Sequence, residues 1–245
     1  MIKSDWPACF PDNVLVALSS VSDGTMLDRA VGTHDGSITT HRTHFITQLN
    51  LSYGDVVFER IIYGDNRTYD TIVEVTEDDT TKYKSEVAAD ALITTQPGVG
   101  LFLPVADCIP TVIYDPDLKR AGLLHLGRHS TVAGLMAKAL EYMKQTGSNL
   151  GNIIIWFGPS VQKNSYRLEY FNLEDDSDWQ EFVTKKNDGI YIDMQGYNQS
   201  RAIATGVSRE NIYCSDIDTA TNNEYFSHSN GDTKGRFGIV VMLTS

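Results

Sequence analysis

At 245 residues the chain is long enough to bury a sizeable core, and no shift in composition marks a second domain, so one domain over residues 1–245 is expected. A net charge of −12 and a pI near 4.8 disfavour nucleic acid or an anionic membrane as the main partner. Three cysteines (Cys9, Cys108 and Cys214), with no CxxC pair, make no disulfide framework and fit a reducing compartment. The opening segment lacks the apolar stretch of a signal peptide and no run approaches a membrane span, so a cytoplasmic protein is expected.

Along the chain, residues 14–18 read as a first strand and the turn-rich stretch 21–37 as a loop. Ile38, Phe45, Ile46 and Leu49 then fall close to helical spacing, with Ser37 as N-cap. His41 and His44 lie on this helix at i and i+3. No third ligand type accompanies them, so they read as solvent-facing or capping residues. The β-rich runs 56–62 and 69–75 flank YGDNRT and predict a hairpin or strand pair, followed by an exposed polar loop over 76–85.

Three apolar runs come next, at 99–103, 109–114 and 121–126. Asp107-Cys108 sits in the short connection between the first two, flanked by Pro104 and Pro110, and His125 lies at the end of the third. From Ser130 a helix is predicted, capped by Ser130, closed by Gly147, and burying Val132, Leu135, Met136, Ala139, Leu140 and Met143. A strand over 153–157 runs into the turn Gly158-Pro159-Ser160. The acidic run 174–178 reads as a solvated helix N-terminus, because acids suit that end of the dipole. A strand at 190–192, a helix from Asp193 to Gly206, an edge strand at 212–214 and a last strand at 238–243 complete the chain. Strands outnumber helices without strict βαβ alternation, which predicts an α+β fold.

A thiol and an imidazole at strand ends suit two chemistries. Cys108 and His125 can both bind zinc, whose catalytic sites take three protein ligands and leave one position open for water. Alternatively Cys108 is a nucleophile and His125 its base, with no metal. The plain reading is a buried thiol beside a core histidine. Asp107 either fixes an imidazole or stabilises its turn. Arg236, in a Gly-rich loop near His228, carries the planar fork suited to a phosphate or carboxylate.

The segments ADALITTQPGVGLFLPVADCIPTVIYDP, AGLLHLGRHSTVAG, GPSVQKNSYRL and FSHSNGDTKGRFG, in this order, resemble the YfiH/laccase-domain family along nearly the whole chain. The resemblance implies a single-domain α/β sandwich of the YfiH-like type, related to toxin-type cysteine deamidases. It implies purine nucleoside phosphorylase activity, with adenosine deamination as related chemistry, in a family long labelled multicopper polyphenol oxidoreductase. Six histidines without HxH clusters do not furnish several copper sites, so the oxidase label fits poorly. The family's His–Cys–His zinc set maps onto Cys108 and His125, while Tyr63 stands where the first histidine belongs. After His125 the chain reads Leu126-Gly127-Arg128-His129-Ser130 in place of the family's Ala-Gly-Trp-Arg-Gly; Ser227, Gly235 and Arg236 match its ending.

Together these readings give Cys108, His125 and Asp107 as candidate catalytic residues. Arg128, His129, Ser227, His228 and Arg236 are the candidates for binding a purine nucleoside and phosphate, with zinc at Cys108, His125 and Tyr63. A monomer is expected. The alternatives are a metal-free cysteine–histidine hydrolase and a catalytically impaired binding homologue.

Overall fold

The structure is a computed structural model that describes residues 8–27 and 35–244. Two sheets dominate it. The first runs in the order β1 (Val14–Leu18), β14 (Phe237–Leu243), β6 (Gly100–Val105), β2 (Val56–Arg60), β4 (Val87–Ala88). The second runs β13 (Ile212–Cys214), β9 (Ile154–Phe157), β7 (Ile109–Asp115), β8 (Arg120–Leu126), β5 (Ala91–Thr94), β3 (Ile72–Glu74). A small third sheet holds β10 (Arg167–Leu168), β12 (Gly189–Ile192) and β11 (Val183–Lys186).

Side-chain alternation along these strands builds three cores. Val57, Leu101, Leu103, Ile239 and Val241 of the first sheet meet Val112, Leu123 and Trp156 of the second. The outer face of the first sheet, with Val56, Phe58, Phe102 and Val240, receives Phe45 and Ile46 of α1 (Gly36–Gln48). The outer face of the second, with Ile93, Ile113, Leu124 and Leu126, is covered by α3 (Leu135–Gln145) and α4 (Met194–Thr205). The expected α+β sandwich is what forms. Among the described residues no helix is long and apolar enough to cross a membrane.

Several local expectations change. Asp35 rather than Ser37 caps α1, accepting from the Ser37 N–H at 2.8 Å. On that helix His41 is half-buried against the Thr25 carbonyl (Nδ1···O 3.0 Å) and His44 is exposed. The runs around YGDNRT do not pair with each other: β2 joins β6 and β4 in the first sheet, and β3 joins β5 in the second. Part of the loop at 21–37 lies outside the described residues.

The helix predicted from Ser130 is broken. A short α2 (Arg128–Val132) ends before Gly134, whose φ of 78° is left-handed and which caps the start of α3. Val132 is consequently exposed, while Leu135, Met136, Ala139, Leu140 and Met143 are buried as expected. The acidic run 174–178 forms turns rather than a helix start. Its charges are met by Lys185 (to Glu174 3.1 Å and Asp175 2.8 Å) and by Arg201 (to Asp178 3.2 Å).

Candidate functional site

At one end of the space between the sheets the apolar packing gives way to polar side chains on the same strand faces. On β8, His125 follows Leu123 inward; on β2, Glu59 follows Val57. The chain crosses from β6 to β7 at this end through Ala106, Asp107 and Cys108, and β14 enters it from Arg236. The result is a cavity of about 560 Å³ whose wall includes Cys108, His125, Tyr63, His228, Arg236 and Glu59. An adjoining groove of about 610 Å³ is lined by Arg128 and His129 and shares Cys108, Tyr166 and His228 with the cavity. The thiol and the imidazole therefore converge.

Gly127 shows how closely. A Cβ on this residue would sit 2.9 Å from the Cys108 Sγ, 3.2 Å from the His125 Cε1 and 3.6 Å from its Nε2. Sulfur and ring thus flank one point that only a glycine leaves open. Ser130 fixes the turn: its Oγ accepts from the Gly127 N–H (2.9 Å) and donates to the His125 carbonyl (2.6 Å).

Burial is the main cause that lowers the proton affinity of His125, to a pKa of about 4, with the charge of Arg236 adding to it. The ring is neutral at pH 7. Burial, then Arg128, also lowers His129, whose ring stacks on Tyr69 with centroids 4.7 Å apart. The Tyr166 phenol is pushed up to about 12, first by burial and then by Cys108, and stays protonated.

Asp107 has a left-handed φ of 71°, a conformation asparagine and aspartate tolerate better than other side chains. Its Oδ1 accepts from the hydroxyls of Thr219 (2.8 Å) and Ser227 (2.7 Å), and its Oδ2 from the Ser229 N–H (2.6 Å). Asp107 thus ties the β6–β7 crossing to the loop that leads into Arg236. Ser227 is buried in this tie, and His228 stands exposed at the cavity rim. Gly235 closes the same loop so tightly that a Cβ there would overlap the Phe226 ring.

Three polar residues of the cavity escaped the sequence reading: Glu59, Glu86 and Tyr166. Glu86 pairs with Arg42 (3.6 Å) and Arg60 (3.8 Å). Glu59 is 1% exposed and neither carboxyl oxygen has a hydrogen-bond partner. Burial, then the charge of Asp90, holds its pKa well above the usual carboxylate range. The available signal was positional, an acid sharing a strand face with Val57.

The two-sheet sandwich is shared with solved structures. YlmD from Geobacillus stearothermophilus superposes with a TM-score of 0.82 at 21% identity, covering 100% of this chain and 98% of that one. Bacillus licheniformis YfiH, a hypothetical protein, gives 0.78 at 23% identity, covering 95% and 93%. The chain belongs to the family described as multi-copper polyphenol oxidoreductase laccase, which it matches over residues 19–244. Its relatives include the purine nucleoside phosphorylase ORF3 of Streptomyces griseus, 26% identical over 219 residues, which span 89% of this chain and 86% of that protein.

Proposed function

We propose that the chain is a purine nucleoside phosphorylase. A purine nucleoside and inorganic phosphate bind in the cavity; the bond from C1′ of the sugar to the base breaks, a bond from C1′ to a phosphate oxygen forms, and the base leaves with the proton that the phosphate gives up. The observation that carries this reading is Arg236. In a chain of net charge −12, Arg236 is 8% exposed, lines the cavity, donates from one guanidinium nitrogen to the Gly235 carbonyl, and lies close enough to His125 to depress its pKa. Its fork suits two phosphate oxygens, and its burial strengthens the attraction by excluding water. The cavity volume falls within the ~300–1,000 Å³ usual for small-molecule sites. Relatives named purine nucleoside phosphorylase support the substrate class.

The other residues take roles that follow from their environments. His125, neutral beside Arg236, offers one N–H and one acceptor to the phosphate or a ribose hydroxyl without a second positive charge. Cys108 and this ring, both packed closely on Gly127, form the part of the cavity wall against which we place the reacting sugar. Tyr166 supplies an O–H donor that stays protonated. Asp107 is a positioning residue that holds the loop carrying Ser227 and His228. Arg128 and His129 in the adjoining groove hold the part of the ligand that leaves the cavity.

Zinc fits this donor set poorly. Among the described residues no group of three His, Cys, Asp or Glu side chains is placed to hold a metal ion. Cys108 and His125 give two donors where a catalytic zinc uses three protein ligands. Tyr63 is half-exposed with its ring against Tyr69, and a phenol with a pKa near 10 is a weak ligand at neutral pH. Adenosine is accordingly expected to yield adenine and not inosine.

The test is incubation of the protein with inosine and phosphate, followed by chromatography. Hypoxanthine and ribose 1-phosphate are expected, in amounts that depend on phosphate and disappear in Arg236→Met. Inosine left intact by folded wild-type protein removes the reading.

A second reading, a cysteine–histidine hydrolase, is favoured by the approach of sulfur and imidazole to one point. It needs an imidazolium to stabilise the thiolate, whereas burial and Arg236 keep His125 neutral. Alkylation of Cys108 by iodoacetamide at pH 7, no faster than that of a free cysteine, is the outcome expected from the phosphorylase; rapid alkylation would favour the hydrolase. Ligand binding without turnover would leave the impaired homologue.

A further inference from the structure

The groove beside the cavity has a charge of its own. Arg128 and Arg167 line it with His129 and His228, and no aspartate or glutamate does, in a chain whose acids outnumber its Lys and Arg by 32 to 20. Elsewhere such cations are met by carboxylates: Arg42 by Glu86, Arg67 by Asp90, Arg201 by Asp178. Arg128 is half-buried and, among the described residues, has no ion-pair partner. The Arg167 Nε donates to the Asp188 carbonyl, which holds the side chain and leaves its two terminal nitrogens without a hydrogen bond among the described residues. The Asp188 carboxylate accepts from the Tyr191 hydroxyl (2.8 Å) and stays outside the groove lining. Two guanidinium forks with no acid between them suit a phosphate ester better than any neutral group.

We propose that this groove binds a phosphate carried on the 5′ position of the nucleoside, so that purine nucleoside 5′-monophosphates are substrates. This rests on the purine nucleoside reading and extends it to the substituent that leaves the cavity. Cavity and groove share Cys108, Tyr166 and His228, so a sugar lying against Cys108 sits at their junction. The stereochemistry of a β-nucleoside then assigns the directions. In an in-line displacement the base and the incoming phosphate meet C1′ on opposite faces, and the 2′ and 3′ hydroxyls share the face of the phosphate. C5′ branches from C4′, across the ring oxygen from C1′, and is the arm that extends away from both. The bonds made and broken at C1′ are those of the nucleoside reaction. The 5′ ester is untouched, and the products are the free base and ribose 1,5-bisphosphate.

Calorimetry on the wild type, Arg128→Gln and Arg167→Gln compares inosine with inosine 5′-monophosphate, with thermal melts confirming that each variant folds. The wild type is expected to bind the monophosphate roughly tenfold more tightly than inosine, as one charge-assisted contact provides. That preference should fall about fivefold in Arg128→Gln and by less in Arg167→Gln, whose side chain is the more exposed. It should also shrink as potassium chloride is raised, because the groove is open to solvent. Equal affinity of the wild type for the two ligands overturns the proposal, as does a preference that both variants keep in full. Chromatography after incubation with inorganic phosphate separates the two readings. Inosine cleaved while the monophosphate stays intact defeats only the role of the groove, whereas a monophosphate bound through Arg128 with neither ligand cleaved defeats only the proposed reaction.

Discussion

Two carboxyl groups face one another in function across a single cavity, and they are built in opposite ways. Asp107, at the crossing from the first sheet to the second, has both oxygens engaged by Thr219, Ser227 and Ser229. Glu59, at the end of β2, has neither engaged. The wall around Asp107 is finished before any ligand arrives: an aspartate in a left-handed conformation, three hydrogen bonds, and two glycines, Gly127 and Gly235, that admit no side chain. The wall around Glu59 is left incomplete. Hydrogen-bonded polar groups hold the geometry of a wall, whereas a buried acid with no bond is a cost to stability.

The largest effect is expected at Arg236, which lines the same cavity. Replacing it with Met should lower kcat/KM for phosphorolysis by roughly a thousandfold, the range seen when one preorganised charge is removed; a fall under tenfold would detach Arg236 from phosphate. Next comes Asp107→Ala, which leaves two buried hydroxyls and a backbone N–H without their acceptor. A loss of about 3 kcal/mol in urea unfolding is expected, and a loss under 1 would mean that the wall is not held by this residue. Asp107→Asn, which retains the left-handed preference and one acceptor, should lose less.

The third prediction concerns pH. His125 titrates near 4 in the folded chain and near its ordinary value when unfolded. Between these values the unfolded chain binds the extra proton, so stability is full above pH 6.5 and falls as the pH drops towards 4, by about 2–3 kcal/mol. His125→Gln should flatten that part of the profile. The smallest effect has the opposite sign. Glu59→Leu should raise stability at pH 7 by about 1 kcal/mol, because burial and Asp90 raise the carboxyl's pKa in the folded chain above its unfolded value, which favours the unfolded chain above that value. The gain should shrink as the pH approaches 4, and a destabilised Glu59→Leu would show that the carboxyl has a structural partner after all.

What could be read from the sequence divides along the line between local and long-range causes. The α4 helix was legible to its caps, since Asp193 and Gly206 bracket an amphipathic run and the Asp193 carboxylate accepts from the Gly196 N–H at 2.7 Å. The strands β1, β7, β8 and β14 were legible from continuous apolar runs. The partners of β2 and β3 were not, because turn residues at YGDNRT speak for a local bend, whereas sheet choice is settled by strands forty residues away in sequence, at β6, and nearer at β5. Ser130 reads as an N-cap but is the third residue of α2, where its Oγ accepts from the N–H of the N-cap Gly127 and donates to the His125 carbonyl. The acidic run 174–178 resembled a helix start because its counter-charges, Lys185 and Arg201, come from other elements. In the site, Cys108 and His125 stood out as reactive types at the ends of apolar runs. Glu59 did not, because a single acid at the end of a strand ordinarily points to solvent, and its only sequence signal is the strand face it shares with Val57.

Phosphate-dependent cleavage of a purine nucleoside is the most direct test of the proposed reaction. Inosine incubated with the wild-type protein should give hypoxanthine at a rate that rises and saturates with phosphate, with ribose 1-phosphate formed in equal amount. Hypoxanthine released with free ribose at a rate indifferent to phosphate, or no hypoxanthine from folded protein, would contradict it.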